Sequence, residues 1–532
     1  MIEAFWIPLL PPYLIGLGLS WAIETLLTPR PVAPWRRPGA AVAVHVGVWT
    51  LAFALELALF RRPYFAVANV LAIELLIVLV SNAKYQALRE PFVYPDFEYF
   101  LDAIKHPRLY LPFFGIWRSL AAGGGYGVTL WAGLAFEDSV TAGVSIWLTS
   151  FLQLQNEYIF DPVASAAIFY LQTIVLALVG VGIALCFSKR ISISFSESRD
   201  IKFFGLVASL AAYRHHERVP SSDLTKLAPF QKMPQMRIPD RLREMPDLVA
   251  VQSESFFDAR REYPILRQDL LENLDHLRLE SRCFGPLQVP AWGANTVRTE
   301  FAFLSGIPPD KLGVHKYNPY RRIIKEEFPT IASCLRNLGY RTVCVHPYHA
   351  GFYRRDSVIP KLGFEEFVDI SAFARSDYAG SYVSDTALGE YVKALLQSER
   401  DDRPLYIHVI TMENHGPLHL EEICNADVAT TLSQPMPPGC EDLVAYARHL
   451  KSTDSMIKTV RQALVSQTRP GGFCFFGDHV PIMKNVYRSL HEPEGTTDYV
   501  IWTSNQRPYK HKQLSVHDLA HTFLTAAFSR NI

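Results

Sequence analysis

The sequence predicts an N-terminal multi-span α-helical membrane domain followed by a C-terminal α/β domain with a mostly parallel central sheet flanked by helices. Three observations predict it. The first 190 of 532 residues hold nearly all the long apolar runs, whereas the rest carries interspersed charges like a water-exposed domain. From Pro246 onward, short apolar runs alternate with helical patterns, the rhythm of strands and helices packed in layers. Four of those runs stop at an acidic or imidazole residue, and open parallel sheets bind ligands at the carboxyl ends of their strands. The expected organisation is a membrane domain at 1–190, connector helices at 191–245 and an extracytoplasmic catalytic domain at 246–532.

Runs of about 20 apolar residues can cross a bilayer as helices. Segments 7–27, 40–60, 66–80, 120–136 and 163–187 are the candidates; the third contains Glu74 and the fourth is Gly-rich. A sixth stretch, 140–154, is marginal in length, so five or six spans are expected. The first segment has no basic start and further spans follow it, unlike a cleaved leader. Two basic segments, one around Arg30, Arg36 and Arg37 and one from Lys84 to Arg108, are assigned to the cytoplasm by the positive-inside rule. Residues 137–161 contain no Lys or Arg and are assigned outside. The C-terminal half is expected outside as well, which satisfies these loop signals only in part. The aromatic stretch 84–112 reads either as a helix at the headgroup level or as a packed loop. A polar connector with helical patches, such as 203–213, leads to the second half.

Lys plus Arg balance Asp plus Glu at 52 each, so nothing points to nucleic acid. None of the seven cysteines forms a CxxC pair, which argues against a cysteine zinc site. Cys424 and Cys440 bracket a Pro-rich loop; a disulfide and two free thiols are both open there.

Strands are expected at 247–252, 341–345, 405–410, 472–476 and 499–503. Helices are expected at 299–305, 331–338, 384–396, 443–466 and 516–527. The first strand runs into Glu254, the second into His346, the third into Glu413 and His415, and the fourth into Asp478 and His479. Gly477 is expected to let the backbone turn sharply before that last pair. Two carboxylates and an imidazole form a mixed O/N set that suits Zn²⁺ or Mn²⁺ better than Ca²⁺. Thr296, at the start of an expected helix, is the candidate nucleophile. Its hydroxyl is weak at neutral pH, and a divalent cation favours the alkoxide. The helix start would also offer backbone N–H groups to a phosphoryl oxygen. A simple N-cap role for Thr296 or Asn295 is the commoner use of such residues. His415 could bind a phosphoryl oxygen or protonate a leaving alkoxide. Arg355 could clamp phosphate through two parallel hydrogen bonds. His346, with His349 nearby, flanks the same site. Trp292, Phe352 and Tyr353 could stack on sugars or simply pack.

Taken together, Ser253-Glu-Ser-Phe256, Thr296-Val-Arg-Thr-Glu-Phe301, Tyr353-Arg-Arg-Asp356, Glu413-Asn-His-Gly-Pro417 and Gly477-Asp-His479 resemble the lipoteichoic acid synthase branch of the alkaline phosphatase–sulfatase superfamily. The resemblance implies a sulfatase-like fold for the second domain. It implies that Glu254, Thr296, Asp478 and His479 hold one divalent ion, Mn²⁺ first, with Zn²⁺ or Mg²⁺ as alternatives. His415 and Arg355 would hold the phosphoryl group, with Tyr353 and His346 beside it. The implied reaction moves phosphoglycerol from phosphatidylglycerol to an envelope polysaccharide or oligosaccharide through a phosphothreonine, releasing diacylglycerol. The implied setting is the bacterial inner membrane, with the catalytic domain on its periplasmic or extracellular side. Phosphoethanolamine transfer and simple hydrolysis share this chemistry and remain alternatives. In place of the Gly-rich run the family often carries before its nucleophile stands Pro290-Ala-Trp-Gly-Ala-Asn295. A type I sulfatase fits poorly: Cys283-Phe-Gly-Pro-Leu287 has its Pro one place late and no following Arg, and Thr296 cannot become formylglycine.

Overall fold

The computed structural model describes residues 2–98, 116–140, 162–218, 224–231, 242–398, 402–504 and 510–528. The chain divides into two compact units, Met1–Pro220 and Ser221–Ile532. The stretch expected as a separate connector is therefore divided, its first part clustering with the helical unit.

In the first unit, long helices run over Ile2–Glu24, Gly39–Phe60, Pro63–Leu88, Ile116–Phe136 and Pro162–Ser188. Gly39–Phe60, Pro63–Leu88 and Ala166–Ser188 are long and apolar enough to cross a membrane, and Leu9–Glu24 is a shorter apolar helix. Most of the marginal stretch 140–154, and residues 99–112 of the aromatic one, lie outside the described residues. The third helix outgrows the expected 66–80: Pro63 opens it, and Arg89 closes it in the left-handed conformation with φ 60°. Helices Gly39–Phe60 and Pro162–Ser188 approach closely at two glycines. A Cβ on Gly47 would lie 2.8 Å from the Gly180 carbonyl, and one on Gly180 would lie 2.8 Å from the Gly47 carbonyl.

One end of this unit is tied together by polar contacts. The Val32 N–H donates to the Lys202 carbonyl at 2.9 Å. The Val207 N–H donates to Glu24 Oε1 at 3.0 Å. The Arg214 guanidinium lies 6.0 Å from the Tyr94 ring centre. The loop after the first helix, the turn after the third and the segment after the fifth thus share one end. Two assignments made from charge and export therefore exclude one another. A cytoplasmic Arg30–Arg37 loop and an external C-terminal half cannot both hold, because the chain leaves the bundle from the end that carries the basic loop. Charge bias is read loop by loop and does not register which loops pack on one another.

In the second unit the strands are β1 (Asp247–Ser253), β2 (Cys283–Gln288), β3 (Arg341–Val345), β4 (Glu366–Val368), β5 (Tyr378–Ala379), β6 (Tyr382–Val383), β7 (Leu405–Ile410), β8 (Gly471–Gly477), β9 (Thr497–Thr503), β10 (Lys510–His511) and β11 (Leu514–Ser515). β5 and β6 form a separate hairpin. The main sheet has the order β10-β2-β9-β8-β1-β7-β3-β4, with β11 also on β2. It is mostly parallel; β9 alone runs against its neighbours β2 and β8. Side chains of β1 alternate between two cores: Leu248 and Ala250 enter one, Val249 and Val251 the other. Helices Thr296–Ser305, Ile331–Asn337 and Val516–Phe528 cover the first face. Helices Glu272–Leu279, Asp385–Gln397 and Glu441–Val465 cover the second.

The five expected strands are all present, with β9 starting two residues earlier at Thr497. β2 was not expected, because Gly285-Pro286 reads as a turn. It stands next to the sheet edge, where a missing N–H is tolerated. All seven cysteines are free, so Cys424, exposed, and Cys440, buried, form no disulfide.

Candidate active site

The four strands that end in candidate ligands are the four consecutive neighbours β8-β1-β7-β3, all mutually parallel. Their carboxyl ends therefore open on one edge of the sheet. Register fixes the rest: Ser253 lies opposite Gly477, so Glu254 and Asp478 leave adjacent strands side by side.

Glu254, Asp478 and His479 each offer a ligand atom, and these atoms lie within 4.8 Å of one another, all buried. The Thr296 hydroxyl donates to Glu254 Oε2 at 3.1 Å. His479 Nε2 lies 3.4 Å from Glu254 Oε1 and 3.5 Å from Asp478 Oδ2. His479 Nδ1 lies 3.2 Å from the Val480 carbonyl, which can only accept, so the ring proton belongs on Nδ1. Nε2 then turns a lone pair toward two carboxylate oxygens. Asp478 Oδ2 and His479 Nε2 are buried without a hydrogen-bond partner. Such orphaned acceptors, converging on one point, are the arrangement a divalent cation satisfies and a folded protein otherwise avoids. Burial, reinforced by the Glu254 charge, pushes the Asp478 carboxyl well above the usual range. Burial pulls His479 down, against the Glu254 carboxylate. The residues fit a divalent metal.

Local backbone sets these positions. Ser255 stands at φ 50°, unusual for a residue with a side chain. Its N–H donates to Asp478 Oδ1 at 2.8 Å and its hydroxyl to Glu254 Oε1 at 3.1 Å. The Glu254 N–H is held by Thr411 Oγ1 at 3.0 Å, and the Thr299 hydroxyl donates to the Asp478 carbonyl at 2.8 Å. Gly477 is needed for close approach rather than for a left-handed turn: a Cβ there would lie 1.8 Å from the Phe256 carbonyl oxygen. Asn295 precedes the Thr296–Ser305 helix at φ 72° and makes no side-chain cap. The N-cap reading of Thr296 is thereby replaced: it is the first helical residue, and its hydroxyl faces Glu254 rather than the backbone.

Arg355 and His346 are tied to each other and to the protein around them. Arg355, only 1 % exposed, donates from Nη2 to Glu300 Oε2 at 2.6 Å and from Nη1 to His346 Nε2 at 3.2 Å. His346 Nδ1 lies 3.1 Å from the Ile410 carbonyl, so both imidazole nitrogens are engaged within the protein. Burial, then the Arg355 charge, holds His346 well below its ordinary pKa, and it is neutral. The Tyr353 ring centre lies 5.3 Å from the Arg355 guanidinium carbon. His415 is half-buried, its Nδ1 2.7 Å from the Gly416 carbonyl and 3.3 Å from the Tyr382 hydroxyl. That bond puts the proton on Nδ1 and leaves Nε2 for a substrate.

Sequence reasoning missed Glu300, which also accepts from the Tyr320 hydroxyl at 2.6 Å. It missed Ser255, Thr411 and Tyr382 as well. Ser255 stands one place after Glu254 and Glu300 four places after Thr296, both inside motifs already singled out. Tyr382 had no local signal, because it reaches His415 from a short hairpin.

The sulfatase family model matches residues 246–529. The capsular polysaccharide biosynthesis protein RkpI of Rhizobium meliloti is 26% identical over 481 residues, covering 85% of this chain and 80% of its own length. Lipoteichoic acid synthase 1 of Bacillus subtilis is 25% identical over 167 residues, covering 30% of this chain and 25% of its own. Among solved structures, the lipooligosaccharide phosphoethanolamine transferase EptA of Neisseria meningitidis superposes with a TM-score of 0.53 at 13% identity, over 97% of this chain and 95% of that one. At that identity the likeness is one of fold, and it extends through both units.

Proposed function

The chain belongs to the sulfatase family and is a sulfatase-like phosphotransferase; from that premise we propose that it transfers phosphoglycerol from phosphatidylglycerol to an envelope polysaccharide or oligosaccharide. The observation that carries this reading is the Thr296 hydroxyl, 3.1 Å from Glu254 Oε2 beside the orphaned Asp478 and His479 acceptors. A hydroxyl held there suits a covalent phosphothreonine and is useless for formylglycine chemistry.

Glu254, Asp478, His479 and the Thr296 oxygen would hold one divalent ion, Mn²⁺ first. When bound, the ion would stabilise the Thr296 alkoxide and offset negative charge on phosphoryl oxygens. The Thr296 proton already points at a carboxylate. Its oxygen attacks phosphorus, an O–P bond forms, and the P–O bond to diacylglycerol breaks. His415 acts through Nε2, giving a proton to the leaving alkoxide. It then takes the proton of an incoming sugar hydroxyl, which attacks phosphorus and frees Thr296. Arg355 and His346 act as positioning residues, fixing the nucleophile helix through Glu300. Tyr353 lines the approach.

A saccharide acceptor is supported by the name of the Rhizobium meliloti relative, a capsular polysaccharide protein. The setting is the bacterial cytoplasmic membrane, catalytic half outward, where phosphatidylglycerol and the chain share one bilayer. Incubation with labelled phosphatidylglycerol should yield diacylglycerol and a phosphoglycerol mass added at Thr296. Envelope glycans from a strain lacking the protein should lose phosphoglycerol. Label entering from phosphatidylethanolamine but not phosphatidylglycerol would reject the donor, and unchanged glycans would reject the acceptor.

A further inference from the structure

We propose that a groove at the end of the first helical hairpin binds one anionic glycerophospholipid, with the phosphate at Arg30 and an acyl chain along the first two long helices. The groove has a volume of about 1070 Å³ and lies between those helices and their connecting loop. Small residues hollow it out: a Cβ on Gly18 or Gly39 would meet nothing within 4 Å. Apart from Thr25, whose hydroxyl donates to the Ala22 carbonyl, and the loop end, its walls are apolar, as an acyl chain requires.

The loop end of the groove is cationic and aromatic. Arg30, Arg37, Trp21 and Trp35 line it. Arg37 is already neutralised by a buried ion pair with Glu24. Arg30 and the adjacent Arg36 are exposed and have no carboxylate partner among the described residues. Trp21 Nε1 is a buried donor without an acceptor, which a phosphate or ester oxygen would supply. Trp35 is 83% exposed, as expected of an aromatic ring lying at the headgroup level. Two unpaired guanidiniums match a headgroup whose phosphate charge is uncompensated. The ammonium of a zwitterionic headgroup would be repelled by them.

The position adds a second reason. The groove opens at the end where Val32 is bonded to Lys202, from which the chain leaves the bundle. If the C-terminal half is exported, this basic loop is exported too, against the usual bias of Lys and Arg toward the cytoplasm. An anionic ligand accounts for charge retained against that bias.

The test is native mass spectrometry of the full chain in micelles, offered equimolar phosphatidylglycerol and phosphatidylcholine. The wild type should retain one phosphatidylglycerol in preference to phosphatidylcholine. Arg30→Gln should weaken that retention about fivefold, the effect of one basic residue near a lipid surface. Gly18→Leu, which projects into open space, should abolish it while keeping the wild-type melting temperature. Equal retention of the two lipids, or undiminished phosphatidylglycerol in Gly18→Leu, overturns the proposal. Lipid retention is read without turnover, so its failure is distinguishable from failure of the phosphoglycerol reaction.

Discussion

Glu300 should matter to the stability of the fold, for a reason that lies in burial. Its carboxylate is fully buried and meets Arg355, itself 1% exposed, at 2.6 Å. It also accepts the Tyr320 hydroxyl at 2.6 Å. Glu300→Ala leaves a guanidinium buried with a neutral imidazole and the Tyr353 ring beside it but no carboxylate. Breaking a buried pair on one side costs about 3–5 kcal/mol, because the surviving charge has no compensation. For a domain of this size that corresponds to a melting temperature lower by roughly 10 °C. Thermal unfolding of the full chain, followed by intrinsic fluorescence, reads it directly. Glu300→Gln keeps an acceptor for Tyr320 and should fall between. The double variant Glu300→Ala/Arg355→Met removes the stranded charge and should recover part of the loss. A Glu300→Ala protein that melts within 2 °C of wild type, on the scale of about 1 kcal/mol or less, would refute the reasoning.

Thr296→Ala should lower diacylglycerol release from labelled phosphatidylglycerol by at least about 10³-fold with an unchanged melting temperature. Mn²⁺ at about a hundredfold its Kd should stabilise the chelator-treated wild type by about 2.7 kcal/mol; Asp478→Ala should show none of this in the same titration. His408 is buried without a hydrogen-bond partner, stacked on Phe303 at 5.5 Å, and burial pulls its pKa from 6.5 down to about 3. Its unfolded form binds the proton first, so stability is complete above pH 6.5 and declines below it, by about 2 kcal/mol at pH 5. His408→Phe should remove that decrement, as judged by urea unfolding at pH 7.5 and 5.

Apolar run length and strand-end chemistry are local properties, and on them the sequence was a sufficient guide. The runs themselves marked the N-terminal helices. Five strands could be read because buried parallel strands are short continuous apolar runs. Glu254, Asp478 and His479 could be named because each directly follows such a run. β2 could not, because Gly285-Pro286 hides a strand next to the sheet edge.

What only the tertiary structure decided concerns groups that share a partner across long separations. The order β8-β1-β7-β3 brings residues more than 200 positions apart to one edge, and register sets Glu254 beside Asp478. The charge of Arg355 is visible in the sequence, whereas the buried Glu300 that pairs with it is 55 residues away. Charge is counted loop by loop, whereas the Val32–Lys202 hydrogen bond fixes which loops share an end. Composition and periodicity report what a segment can bury; they carry no term for which distant group it is buried against.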